Sequence, residues 1–168
     1  YELFRSDPAD WYTGHNYHET EVFGANLNAM TQWKLGRTSM GVEFRNEGVK
    51  SNVLGKPMKE PQDVPFEKEG QYLKSDNRSN ISYFLEHNVL LRRFTLSVGV
   101  LANYNSALNE GIHFYPGIDA SYRIGDNFRL YGSWNRALRM PTFTDLYYEG
   151  KTNKGNPDLK PEESEAFE

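Results

Sequence analysis

Between Arg93 and Asn105 the chain alternates with a period of two. Phe94, Leu96, Val98, Val100, Ala102 and Tyr104 fall on one parity, and Thr95, Ser97, Gly99, Leu101, Asn103 and Asn105 on the other. Successive side chains of a strand point to opposite faces, so this run predicts a strand with one apolar and one polar face. Helical spacing does not fit it. The same period recurs in Glu19 to Trp33, Arg37 to Asn46, Asn80 to Val89, Ile112 to Arg123 and Asn127 to Ala137. Within Asn80 to Val89, Phe84 and His87 each sit on the wrong parity. The chain is therefore expected to be all-β, with six strands and pieces of two more at its ends.

The connections alternate in length. Leu35-Gly36, the stretch around Leu91-Arg92 and Gly125-Asp126 are tight and suit hairpin turns. Ser6 to His18, about Val49 to Asn77, Ser106 to Gly111 and Leu138 to Lys160 are long. Val49 to Asn77 carries Pro57, Pro61 and Pro65 among mixed charges and is expected to be an irregular surface loop. Short turns on one rim and long loops on the other predict an antiparallel up-and-down meander of the outer-membrane kind, with short periplasmic turns and long extracellular loops.

Alternation alone does not say which face is wet. A soluble sandwich buries its apolar faces, whereas a large membrane barrel turns them to lipid and lines its lumen with polar residues. The runs reach the length of roughly 9–11 residues that a strand needs to cross a bilayer. Aromatics also stand at both ends of the apolar faces. Phe94, Tyr122 and Phe128 are expected near the tight turns, and Phe44, Tyr104, Phe114 and Trp134 near the long loops. Two such belts match the girdles at the two membrane interfaces. A mean hydropathy of -0.76 is compatible with that, since alternation averages out. Two rivals stay open on these grounds: a small outer-membrane barrel with an adhesin or structural role, and a soluble carbohydrate-binding β-sandwich.

Other classes are disfavoured. A net charge of -4 argues against a nucleic-acid partner, and zero Cys removes thiol nucleophiles and disulfide scaffolds. There is no Gly-x-Ser-x-Gly elbow, His-Glu-x-x-His pair or phosphate loop, so no enzyme and no cofactor are expected. The polar parity carries Glu43, Arg45, Glu86, Asp119, Arg123 and Arg129, which solvation by a wet lumen accounts for.

The last 34 residues, Asn135 to Glu168, contain two linked blocks. The first is Arg139, Pro141, Phe143, Asp145, Leu146 and Tyr147; the second is Gly155, Asn156, Pro157, Leu159, Pro161 and Glu162. Together they resemble a signature late in the barrel of TonB-dependent outer-membrane receptors. Trp11-Tyr12-Thr13-Gly14-His15-Asn16 and the strand from Thr20 to Ala29 look similar to members of the same family. The resemblance implies that residues 1–168 are part of a barrel of about 22 strands filled by a plug. It also implies a Gram-negative outer membrane, lipid around the barrel, and uptake of a scarce nutrient such as a siderophore or cobalamin. Energy would come from a TonB complex acting through a plug region that this sequence does not contain. A fragment of a larger protein is expected.

Candidate ligand contacts lie in the expected long loops: Trp11, Tyr12, His15 and His18 in the first, and Tyr147 and Tyr148 in the last. Two histidines at three-residue spacing fall short of a metal set. The motif itself reads as loop architecture. Pro141 biases Met140 away from helix, Gly155-Asn156-Pro157 is a turn signal, and Pro161 suits a strand start. Phe143, Leu146, Tyr147 and Tyr148 are expected to pack the base of the loop.

Overall fold

The computed structural model describes residues 2–5, as backbone, together with residues 15–68, 70–108, 111–150 and 152–168. Trp11 and Tyr12 lie outside the described residues. Nine strands form among them: β1 (Glu2–Arg5), β2 (His15–Trp33), β3 (Gly36–Ser51), β4 (Lys56–Asp63), β5 (Gln71–Leu90), β6 (Phe94–Asn105), β7 (Ile112–Ile124), β8 (Phe128–Arg139) and β9 (Glu162–Phe167). One short helix, α1 (Phe143–Tyr147), lies between β8 and β9. The sheet order is β1-β2-β3-β5-β6-β7-β8-β9, with β4 paired to β5 off this path. Every pair whose register is resolved is antiparallel. The all-β meander expected from the sequence is therefore present, with its tight turns at Leu35-Gly36, Leu91-Arg92 and Gly125-Asp126. Gly36 and Gly125 take positive φ there (138° and 67°), which only glycine adopts without strain.

The chain divides into two compact units. The first is built from the described residues of Gly24–Arg45, Ser79–Arg139 and Pro161–Glu168. Its ladders put like with like. Leu85 pairs with Val100, and Val98 with Ile118. Phe94 pairs with Tyr122, which pairs with Leu130. On the other face Thr95 meets Ser121, Ser97 meets Asp119, and Asn103 meets His113. The two faces differ in burial. Phe114 is 62% and Leu130 66% exposed, whereas Asn105 is only 2% exposed. The amide of Asn103 donates to Asn80 Oδ1 at 3.0 Å and to Ser82 Oγ at 2.9 Å, and Thr95 and Ser121 share a 2.7 Å hydroxyl contact. The polar side chains are knitted to one another while the apolar ones face outward. In water that would be a sticky surface; against hydrocarbon it is the favoured arrangement.

Trp134 departs from expectation. It registers with Ile118, whose other partner is Val98, and so stands in the middle of β8, five residues before its end at Arg139, instead of next to a long loop. There its ring meets Phe167 at 6.5 Å. The two parity blemishes are both accommodated. Phe84 lies against Gly41, where an added Cβ would come within 2.4 Å of the ring. His87, opposite Val98, bonds Thr38 through Nδ1 at 2.9 Å.

The second unit is built from the described residues of Tyr1–Phe23, Asn46–Arg78 and Met140–Lys160. It corrects the expected irregular loop. Val49 to Asn77 holds the end of β3, all of β4 and the start of β5. Tyr17, Val64 and Tyr72 form a small buried core with Met58 packed on it. Pro57 and Pro61 are tolerated because β4 pairs on one side only, with β5, and its register shifts between Pro57 and Gln62.

Candidate functional site

The second unit gathers most of the residues singled out in the sequence. β2 begins at His15, so His15 and His18 are strand residues and not loop residues. β1 draws them in by pairing Arg5 with His15 and Glu2 with His18. His18 Nδ1 contacts Ser51 Oγ at 2.9 Å, and Ser51 also accepts from the backbone N–H of Val53 and Leu54, both at 2.9 Å. The His15 ring meets Tyr17 edge-on at 6.2 Å. Asn52 acts as a substitute strand partner. Its Oδ1 accepts from Tyr17 N–H at 2.9 Å, and its Nδ2 donates to the His15 carbonyl at 2.7 Å. These contacts fix the two histidines in the wall of the unit. Among the described residues no group of three or more His, Cys, Asp or Glu side chains is arranged to hold a metal.

The segment after β8 folds around α1. Thr142 is its N-cap: Thr142 Oγ1 accepts from Asp145 N–H at 3.1 Å, and Asp145 Oδ2 accepts from Thr142 N–H at 2.9 Å. This reciprocal capping box satisfies two donors that a helix start leaves open. The sequence carried the signal, Thr-x-x-Asp, but five residues are too few for a helical period to show. Leu146 is the buried residue of the helix.

The two motif blocks close on each other. Gly155 N–H donates to the Tyr148 carbonyl at 2.6 Å, and Asn156 N–H to the Asp145 carbonyl at 3.0 Å. A Cβ on Gly155 would lie 2.8 Å from backbone atoms of Leu146 and Tyr148, so only glycine fits. Asn156 then closes an Asx turn, its Oδ1 accepting from Asp158 N–H at 3.0 Å. Pro157 follows within that turn, and Leu159 N–H donates to the Asn156 carbonyl at 3.2 Å.

Side chains from β3 and β5 hold the helix. Arg78 pairs with Glu47 at 2.6 Å, donates to the Pro141 carbonyl at 2.5 Å and stacks on Phe143. The Tyr147 hydroxyl donates to Asp76 Oδ2 at 2.5 Å, and Lys56 reaches Asp76 Oδ1 at 3.3 Å. Burial, with the hydrogen bond and charge of Asp76, pushes the Tyr147 phenol well above its usual range; nearby Arg78 opposes weakly. The Tyr147 hydroxyl is thus committed within the unit, whereas Tyr148 remains exposed. Arg139 and Glu162 belong to the first unit, where they are register partners and form an ion pair at 3.3 Å; Pro161 immediately precedes β9.

Two recesses have a chemistry that the sequence did not show. In the second unit a cleft of about 440 Å3 is lined by Glu19, Glu21, Lys50, Ser75, Asp76 and Asn77. In the first, a recess of about 220 Å3 on the polar face is lined by Glu86, Ser97, Tyr115, Asp119 and Arg136, with Gly99 opposite Gly117. Both offer carboxylates, one cation and neutral polar groups to a polar solute. Their residues come from different strands, and spacing along one strand does not reveal proximity across a sheet. Residues 2–168 match the family described as TonB dependent receptor-like, beta-barrel.

Proposed function

The chain belongs to the TonB-dependent receptor-like β-barrel family, an outer-membrane receptor family and not an enzyme family, and from this we propose that it forms part of the wall of a receptor that takes up a scarce nutrient. Uptake is driven by a TonB complex acting through a plug region. The ligand is a siderophore, cobalamin or a similar solute. The residues that meet it lie on the long-loop side: Trp11, Tyr12, His15, His18, Tyr147 and Tyr148. The observation that supports this reading is the family match along a sheet whose apolar face is exposed and whose polar face is internally bonded.

The experiment is an uptake assay with the receptor that contains this chain. Cells lacking it are starved of iron or of cobalamin and offered labelled ferric siderophores or cobalamin. Loss of uptake of one solute, with equal loss when TonB is inactivated, is the expected result. Unchanged uptake across the panel discards nutrient uptake; loss of uptake without TonB dependence discards the energy source. A His15→Ala, His18→Ala, Tyr148→Ala variant with unchanged affinity would remove these residues from the binding surface.

A further inference from the structure

The tight-turn end of the first unit carries a feature that neither ligand uptake nor the family motif uses. Trp33 closes β2, Thr38 is the third residue of β3, and His87 lies near the end of β5, the strand next to β3. Trp33 Nε1 donates to Thr38 Oγ1 at 3.1 Å. Thr38 Oγ1 meets His87 Nδ1 at 2.9 Å, and the Trp33 and His87 rings stand 5.5 Å apart. A hydroxyl that accepts from the indole has one proton left to give. In the tautomer where that proton goes to Nδ1, the imidazole carries its own on Nε2, the far side of the ring. All three residues share the parity of the apolar face, since His87 is opposite Val98.

The neighbouring turns supply charge. Lys34 lies in the β2–β3 turn, which abuts β5: a Cβ on Gly36 would fall 3.1 Å from Val89 Cα. Arg92 lies in the β5–β6 turn. Neither cation has a carboxylate partner among the described residues. Beside them Trp33 is 51% and Leu91 61% exposed, with Leu35 and Leu90 also open. Apolar side chains and unpaired cations thus alternate within a few residues, at the end of a face turned to lipid. This is the pattern of an interfacial anchor.

We propose that this surface binds the headgroup of an anionic phospholipid in the leaflet that meets the tight turns. His87 Nε2–H donates to a phosphate oxygen, Lys34 and Arg92 neutralise its charge, and Trp33, Leu35 and Leu91 lie along the acyl chains. The occupant follows from charge complementarity and from the adjoining apolar surface, which a free anion would leave uncovered. The inference rests on the membrane-barrel reading above.

The test uses the intact receptor, reconstituted in bilayers of mixed phosphatidylglycerol and phosphatidylethanolamine, with retained lipid counted by native mass spectrometry. The expected result is a preference for phosphatidylglycerol of about tenfold or more, the scale of two interfacial cations on an anionic surface. Lys34→Gln with Arg92→Gln should bring the preference to within about twofold of parity. His87→Phe should lower it about threefold while the receptor still inserts. Equal retention of the two lipids by the unaltered receptor overturns the proposal, as does a preference that survives the double substitution. Displacement of the lipid by soluble glycerophosphoglycerol would show a site for the bare anion and also overturn it. A protein that fails to enter the bilayer removes the barrel reading itself; one that inserts without preference removes this inference alone.

Discussion

The guanidinium carbon of Arg78 stands 4.8 Å from the centre of the Phe143 ring, joining the start of β5 to a helix 65 residues later in the chain. The same group pairs with Glu47, and the two side chains are only 12% and 18% exposed. Arg78→Ala leaves a largely buried carboxylate uncompensated, which costs about 3 kcal/mol. The α1 segment should loosen and trypsin should cut after Lys154 faster in the intact receptor. Arg78→Lys should not restore protection, because a single ammonium cannot serve Glu47 and the Pro141 carbonyl in a fixed fork while stacking on Phe143. Glu47→Gln combined with Arg78→Ala should be less damaging than the separate losses added together.

Gly155→Ala tests the closure between the motif blocks. The new methyl would meet backbone, which cannot rotate away, so the bond to the Tyr148 carbonyl must lengthen or break. A cost of about 1–3 kcal/mol is expected. Hydrogen exchange of the Gly155 and Asn156 amides should accelerate, while that of β6 and β7 stays unchanged.

Tyr147 makes the same region sensitive to alkali. Its phenol is held neutral by burial and by the bond to Asp76, so its folded pKa lies above the unfolded value of about 10. The folded form keeps its proton where the released form loses it. The stabilisation is complete below about pH 10 and declines as pH rises beyond that value. A spin label on Asn153→Cys should gain mobility between about pH 10 and pH 12. Tyr147→Phe should be looser from the outset, by about 1 kcal/mol, and should lose the alkaline component.

Phe84 and Gly41 form a size pair on the polar face. Gly41→Ala drives a methyl into the Phe84 ring and toward Asn28 Oδ1, and destabilises the receptor by about 1–3 kcal/mol. Phe84→Ala should relieve part of that clash, so the double variant should melt higher than Gly41→Ala alone. Equal melting of the two would show that the ring is not what the glycine accommodates.

The long strands were legible because each is read by two different surroundings, and alternation survives wherever both faces have distinct solvents. The parity errors at Phe84 and His87 became intelligible only with the neighbouring strand, since Gly41 and Thr38 lie more than 40 positions away in sequence. β4 was hidden by Pro57 and Pro61, which read as loop punctuation but suit an edge strand. The loop motif was visible as residue types. Its closure was not, because the bonds that join Asp145 to Asn156 and Tyr148 to Gly155 are main-chain bonds that carry no side-chain signature. The linkage of Arg78 to Pro141 and Phe143 was equally silent, as nothing local marks one arginine among many.

The closure at Tyr148 and Gly155 works like a drawstring. Beyond it the described residues touch one another, through the Gly150–Asn153 bond and the Glu149–Lys154 pair. The tip can therefore be exchanged without informing the strands below. Doubling the length of a flexible insert there costs only about 0.6 kcal/mol in closure entropy. A receptor built this way can acquire a new outward face, or carry a grafted epitope, by editing a few codons above the knot.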